Sequence, residues 1–186
     1  MTHDLRSFLA DLGRHLHRIE EEVDPVTQVG VLCSESNGPI LFENLTNFPG
    51  WRLTDILVKE RTTQAIALGT TPDRVVQDLA RAIFDRGPAE VKIVDDGPCK
   101  EVKLIGEDAD VRRLPIPTHS VGDGGDIGSR YLGSGLTVTA DPDTGIRNEA
   151  IIRTHIRDDE PRKVGFWMAA RHNWAHYAKY EARGEA

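Results

Sequence analysis

The sequence predicts an α+β fold: an N-terminal α/β part, then a mainly β remainder, with a soft boundary near residues 88–110. Three observations predict it. Two stretches within the first 86 residues carry apolar side chains at helical spacing. Alternating β-branched residues flank the turn DPDTG at 141–145. After Gly87-Pro88 the helical stripes give way to extended sequence rich in glycine and proline.

Asp4 is placed to cap a helix with Leu5, Phe8, Leu9 and Leu12 at helical spacing, and Gly13 stops it. LHRIEEEVDP (16–25) alternates, then runs into acid and proline, which predicts a short strand and a turn. Residues 26–36 read as a short helix and GPILFENL (38–45) as a strand. NFPGW (47–51) is a turn, since Pro49-Gly50 suits its central positions. Residues 52–58 fit neither period, and 63–69 read as a strand. Thr71 caps and Pro72 opens a helix striped by Val75, Val76, Leu79 and Ile83, which Gly87-Pro88 ends.

Beyond residue 88, EVKIVDDGPCKEVKLIGEDADV contains short β-like runs, and RRLPIPTH is extended and proline-bound. GDGGDIGSR (122–130) is a loop. Residues 134–157 are expected as an antiparallel hairpin turning at Asp141–Gly145. RKVGFWMAARH supplies a third strand, and NWAHYAKYEARGEA turns helical.

With 186 residues the chain suffices for one domain with a core, or one domain plus a small appended layer. A net charge of −7 argues against nonspecific nucleic-acid binding, which needs a basic face, but leaves room for a local cationic pocket. Cys33 and Cys99 lie far apart without CxxC spacing, so the simplest expectation is a reduced, cytoplasmic protein. MTHDLRSFLADLG is too polar for a signal peptide, and no run approaches the length of a membrane span.

The stretch TGIRNEAIIRTH (144–155) sets Asn148 and Arg153 among apolar residues. On a straight strand Asn148, Ala150 and Ile152 share one face, and Glu149, Ile151 and Arg153 the other. A bulge would bring Asn148 and Arg153 to one side; a half-buried strand with polar residues in water is the plainer alternative. The Gly-rich stretch 122–130 is a phosphate cradle or a turn-rich loop, and it matches neither dinucleotide nor P-loop spacing. RHNWAHY puts His172 and His176 one helical turn apart, a spacing that can chelate a metal. The zincin pattern needs Glu where Asn173 stands, so His176 reads as a helix-surface histidine and His172 stays open. Trp167 and Met168 fit a buried strand, and IEEEVD (19–24) a solvated acidic turn.

Six ordered blocks narrow this further: DLRSFLADL, RIEEEVDP, SNGPILFENLTNFPGW, LPIPTHSVGDGG, VTADPDTGIRN…R and ARH…HY…EARGE. Together they resemble the N-terminal half of the UbiD family, reversible decarboxylases that use prenylated FMN. The resemblance runs from about Asp4 to the last residue. It implies an α/β N-terminal layer, residues 1–100, followed by part of a flavin-reductase-like split β-barrel, residues 101–186. It also implies oligomers.

The resemblance implies roles as well. Asn148 and His172 match ligands of a divalent metal, Mn²⁺ or Mg²⁺, that holds the cofactor phosphate, with K⁺ as a companion. Arg153 matches a catalytic residue beside the flavin. Ala150, Ile151 and Arg171 join Asn148, Arg153 and His172 as expected cofactor contacts. Ala150 and Ile152 depart from the family's usual Gly and Tyr. The third metal ligand and the acid–base glutamates lie farther on in the family than Ala186. The chain is therefore expected to be a truncated piece, a short paralogue, or one subunit of a split enzyme whose second UbiD-like chain completes the site. Its substrate would be a small aromatic or α,β-unsaturated carboxylic acid. A non-catalytic assembly or regulatory subunit and a degenerate fragment without cofactor are the competing expectations.

Overall fold

The computed structural model describes residues 4–85, 92–118, 120–123 and 128–185. The chain divides into two compact units, Met1–Leu104 and Ile105–Ala186. The expected stop at Gly87-Pro88 and part of the Gly-rich stretch 122–130 lie outside the described residues. Among the described residues, no helix is long and apolar enough to cross a membrane.

The first unit opens with α1 (Leu5–Leu12). Asp4 caps it: the Ser7 N–H donates to Asp4 Oδ1 at 2.8 Å, and the Asp4 N–H donates back to Ser7 Oγ at 3.1 Å. Strand β1 (His17–Val23) pairs in parallel with β2 (Ile40–Leu45), a link that needs a crossover, which α2 (Val29–Glu35) supplies. β2 pairs antiparallel with β3 (Leu53–Asp55) and so lies at the centre. Its run Ile40–Leu41–Phe42 is apolar without interruption because both faces are covered. Ile40 and Phe42 pack with Val23, Val29 and Leu45, while Leu41 packs with Leu12 and Leu16. Phe42 and Leu12 are wholly buried, and such a side chain stabilises the fold by about 1.5–3 kcal/mol.

Two expectations for this part of the chain fail. Residues 63–69 are not a strand: α3 (Arg61–Leu68) occupies them. Alternation in TTQAIAL suggested a strand, yet Thr63 and Ala65 are buried and Ile66 packs on Leu12 and Leu41. The Thr63 hydroxyl donates to the Glu60 carbonyl at 3.0 Å, and Gly69, at φ 65° and ψ 38°, closes the helix as a left-handed C-cap. The β-like runs after residue 88 are not strands either. The described residues 92–113 instead hold 3-10 turns at Pro98–Lys100, Gly106–Asp108 and Val111–Arg113. Ile93, Val102 and Ile105 are exposed there and pair with none of the described strands. Helix α4 (Val75–Phe84) forms where its stripe predicts, although only Val75 is buried.

In the second unit, β4 (Arg130–Leu132), β7 (Thr154–Ile156) and β8 (Val164–Phe166) form an antiparallel sheet in the order β4-β7-β8. β5 (Leu136–Ala140) and β6 (Arg147–Ile151) form a separate antiparallel ribbon, in register from Leu136↔Ile151 to Ala140↔Arg147. The turn follows from Asp141, whose Oδ1 accepts the Asp143 N–H at 2.8 Å. The hairpin is shorter than expected. Ile152 donates a last bond to the Gly135 carbonyl at 3.3 Å, and the chain then crosses into the other sheet, where Thr154 and Ile156 are buried. Helix α5 (His172–Ala182) packs on the ribbon.

Among the described residues the strands do not close into a barrel. The buried side chains of this unit are few, and polar Thr154, Asn173 and His176 stand beside Ile116, Tyr131 and Ile156. Leu136, Val138 and Ile151 lie exposed on the ribbon. Trp167, expected in the core, is 85% exposed because β8 ends at Phe166 and the chain turns away before α5.

Candidate functional site

A cleft of about 700 Å³ opens in the second unit beside β6, the 152–153 link, the end of β8 and the start of α5. Asn148, Ala150, Ile151, Arg153, Arg171 and His172 all line it. Neither the straight strand nor the bulge explains how Asn148 and Arg153 share it. Asn148 sits on β6, and Arg153 sits in the link where the chain leaves the ribbon for β7. The alternation of β6 therefore does not govern the Arg153 side chain.

Asn148 faces α5. Its Nδ2 donates to Asn173 Oδ1 at 2.5 Å, and the Thr139 hydroxyl donates to the same oxygen at 2.9 Å. Thr139 and Asn148 are directly opposed across the ribbon, so one helix side chain bridges a cross-strand pair. The Thr139 hydroxyl proton is thereby used, and His176 Nδ1, 2.9 Å away, must donate to it. Asn148 Oδ1 accepts no bond from any described residue. His176 is buried rather than on the helix surface, because it sits against the ribbon with Nε2 4.0 Å from Asp141.

Ion pairs fasten the same helix to the hairpin turn. Lys179 pairs with Asp141 at 2.6 Å and with Asp143 at 2.9 Å, and Arg183 pairs with Asp143. The Lys179 ammonium, together with the backbone N–H of Asp143, holds the Asp141 carboxyl down at about 2.

Arg153 is exposed. Its Nη1 donates to Asp123 Oδ2 at 2.8 Å, and its guanidinium carbon lies 4.2 Å from the centre of the Tyr131 ring. Tyr131 stacks on His155 at 4.7 Å and donates its hydroxyl to the Asp123 carbonyl at 3.3 Å. The His155 Nε2–H donates to the Gly128 carbonyl at 2.7 Å, leaving Nδ1 toward other partners. Tyr131 and His155 are paired across β4 and β7, so the sheet sets the stack. Arg171 precedes α5 in extended backbone, and His172 is its exposed first residue.

Sequence reasoning missed Asn173, Thr139 and His176 as the support of Asn148, and Asp123 and Tyr131 as the support of Arg153. The first group carried a partial signal. His176 follows Asn173 by three positions on the helix, and Thr139 comes opposite Asn148 once the turn closes with Asp141 bonded to Ile146. The second group carried none, since Asp123 lies thirty positions from Arg153. Chemically, the described residues of the cleft offer an amide oxygen to which none of them donates, an exposed imidazole, two guanidinium groups and apolar walls from Phe166 and Trp167.

Two family models match the chain. That of the 3-octaprenyl-4-hydroxybenzoate carboxy-lyase N-terminal domain matches residues 11–83, and that of the carboxy-lyase Rift-related domain matches residues 92–186. A Rhodospirillum rubrum protein, described as an uncharacterized protein in the cooM 5' region, is 29% identical over 95% of this chain and 40% of its own length. Among solved structures, the UbiD-class enzyme HmfF from Pelotomaculum thermopropionicum, in complex with FMN, superposes with a TM-score of 0.82 at 31% identity, over 98% of this chain and 40% of that one. An evolved dimeric form of HmfF in complex with prFMN superposes equally well, at 0.82, 31% identity, 98% and 42%. A 3,4-dihydroxybenzoic acid decarboxylase from Enterobacter cloacae gives 0.84 at 25% identity, 99% and 40%. The chain thus spans about two fifths of the length of the relatives it matches.

Proposed function

The chain belongs to the UbiD family of carboxy-lyases and covers its N-terminal half, and from that premise we propose that it forms part of a reversible, non-oxidative decarboxylase acting on aromatic or α,β-unsaturated carboxylic acids. Residues 1–100 are its N-terminal α/β region and residues 101–186 part of its cofactor-binding barrel. The observation that carries this reading is the convergence of Asn148, Arg153 and His172 on one cleft. The substrate class agrees with the similarity to the dihydroxybenzoic acid decarboxylase. Further UbiD-like polypeptide, a continuation of this sequence or a second chain, completes the site, in line with the span of the match and the exposed apolar residues of the ribbon.

The side chains present suit prenylated FMN and a divalent ion. Asn148 Oδ1 has lone pairs that no described residue uses, and His172 is exposed on the cleft. An amide oxygen with an imidazole suits Mn²⁺ or Mg²⁺ bound to phosphate, with K⁺ as its companion. Arg171 lies beside His172 and is placed to neutralise phosphate charge. Among the described residues no three of His, Cys, Asp or Glu gather to complete such a shell, so its further ligands come from outside them. When bound, prenylated FMN supplies the electron sink for loss of CO₂.

The chain's own residues bind and orient. Arg153 exchanges Asp123 for the substrate carboxylate, whose two oxygens match the guanidinium fork. Tyr131 keeps its ring beneath that guanidinium, 4.2 Å from its carbon. Phe166 and Trp167 give an apolar wall that favours an unsaturated substrate. The proton returned to the product comes from an acid outside the described lining, which holds no Asp or Glu.

One observation favours a second reading, a non-catalytic assembly or regulatory subunit: Arg153 is already committed to Asp123. Cofactor content decides between them, read as absorbance and mass of the bound flavin in the chain purified with its partner. Asn148→Ala and His172→Ala should lose cofactor, while Arg153→Ala should keep it and lose turnover. Equal content and equal activity in all three variants overturns the catalytic reading.

A further inference from the structure

We infer that Asn173 is a positioning residue: its Oδ1, shared with Thr139, fixes the Asn148 amide with its own oxygen free for a cation. This rests on the reading of Asn148 and His172 as cation donors and adds to it the residue that aims one of them.

A side-chain amide is ambiguous in what it presents. An Asn side chain offers an acceptor on one side and two donors on the other, and a half-turn about its last bond exchanges them. A cation donor must present oxygen. At Asn148 the choice is settled by what Asn173 presents to it. Asn173 Oδ1 is an acceptor, so Asn148 must offer Nδ2, and that bond is 2.5 Å long. Thr139 presses the same choice on Asn173 from the opposite strand by donating to its Oδ1 at 2.9 Å, and His176 fixes Thr139 in turn.

A second observation agrees. Asn173 is 5% exposed, and its Nδ2 is buried without a partner among the described residues. A buried amide left to satisfy itself would pair both ends. This one leaves a donor unpaired while its oxygen serves two neighbours. The arrangement makes sense if the acceptor end, rather than the whole amide, is what the site requires. Asn173 is also the residue after His172, so one turn of α5 carries one candidate donor and holds the other in orientation. Partners that orient a ligand in this way change metal affinity by about ten- to a hundredfold when removed.

The test titrates the full chain with Mn²⁺ alone into the millimolar range, reading free Mn²⁺ from its aqueous electron paramagnetic resonance signal. Wild type should bind, and Asn148→Ala should bind more weakly. Asn173→Leu should lose about ten- to a hundredfold. Asn173→Asp keeps an acceptor in place and should bind at least as tightly as wild type. Thr139→Val, close in shape, should lose several-fold and carries the test if Asn173→Leu does not fold. A normal affinity in Asn173→Leu and Thr139→Val, beside a weakened Asn148→Ala, overturns the inference and leaves the cation reading standing. Equal losses in Asn173→Leu and Asn173→Asp overturn it too. Wild type and Asn148→Ala that bind alike, or not at all, remove the cation reading and this inference with it. A non-metal readout is the side-chain ¹⁵N–¹H pair of Asn148, which should be shifted and slow to exchange in wild type and Asn173→Asp, and ordinary in Asn173→Leu.

Discussion

Arg153 and Asp123 form an ion pair of 2.8 Å in which both side chains stay substantially in water, 58% and 38% exposed. The pair is thus placed to open at little cost. Exposed pairs of this kind contribute about 0–1 kcal/mol. Asp123→Asn should shift the denaturant midpoint of the chain by no more than that allows. In the assembled enzyme the same variant should lower KM for the carboxylate substrate, because the competing carboxylate is gone. A raised KM would mean that Asp123 positions Arg153 rather than competing for it.

The chain on its own should be a poor decarboxylase. No Asp or Glu is among the described residues that line the cleft, and a positioned acid contributes about a hundredfold to ten-thousandfold in rate. Turnover of the pure chain, compared with the chain plus its completing partner, should differ by that order. Full activity of the 186-residue chain alone would refute the division of the site.

Acid should loosen the grip of α5 on the hairpin. Asp141 has its folded value held at about 2, against 3.8 for an ordinary aspartate, first by Lys179 and then by the Asp143 N–H. A depressed value means that the stability contributed is fully present above pH 3.8 and lost as pH falls toward 2. Asp141→Asn should remove that part of the pH dependence and leave the curve above pH 5 parallel to wild type. An unchanged acid limb in the variant would show that the turn does not hold the helix.

The two thiols should behave differently. Burial, with the Asp55 carboxylate beside it, pushes the Cys33 thiol up to about 12, whereas Cys99 is exposed. Since the thiolate is the reactive form, iodoacetamide at pH 8 should modify Cys99 and spare Cys33 until the protein is denatured. Mass spectrometry of peptides reads this directly, and prompt labelling of Cys33 in the native chain would contradict it.

Where local chemistry decides structure, the sequence was legible. Asp4 capping, the apolar run of β2 and the DPDTG turn each need only neighbours in the chain. Legibility failed where burial by distant elements decides. Thr63 and Ala65 read as a strand until α3 is seen packing Ile66 on Leu12 and Leu41. Val102 and Ile105 read as strand residues, but they pair with no strand and stay exposed. His176 looked like a surface residue because nothing in its own helix shows that Thr139 receives it. The gathering of Asn148, Arg153 and His172 came from the family resemblance, and periodicity alone would have sent the first two to opposite faces.

The two-residue link at 152–153 has a consequence for how this chain can vary. An extra residue within β6 would invert every side chain beyond it relative to the Leu136–Ala140 strand, exchanging Asn148 or Ala150 for its neighbours on the helix side. An extra residue in the link would leave the ribbon register and the β7 register both intact. Its effect would fall on Ile152 and on the direction of the Arg153 guanidinium. The joint between the two sheets is therefore where length change is tolerated by the fold and felt by the chemistry, a place where a lineage could retune the reach of Arg153 without rebuilding either sheet.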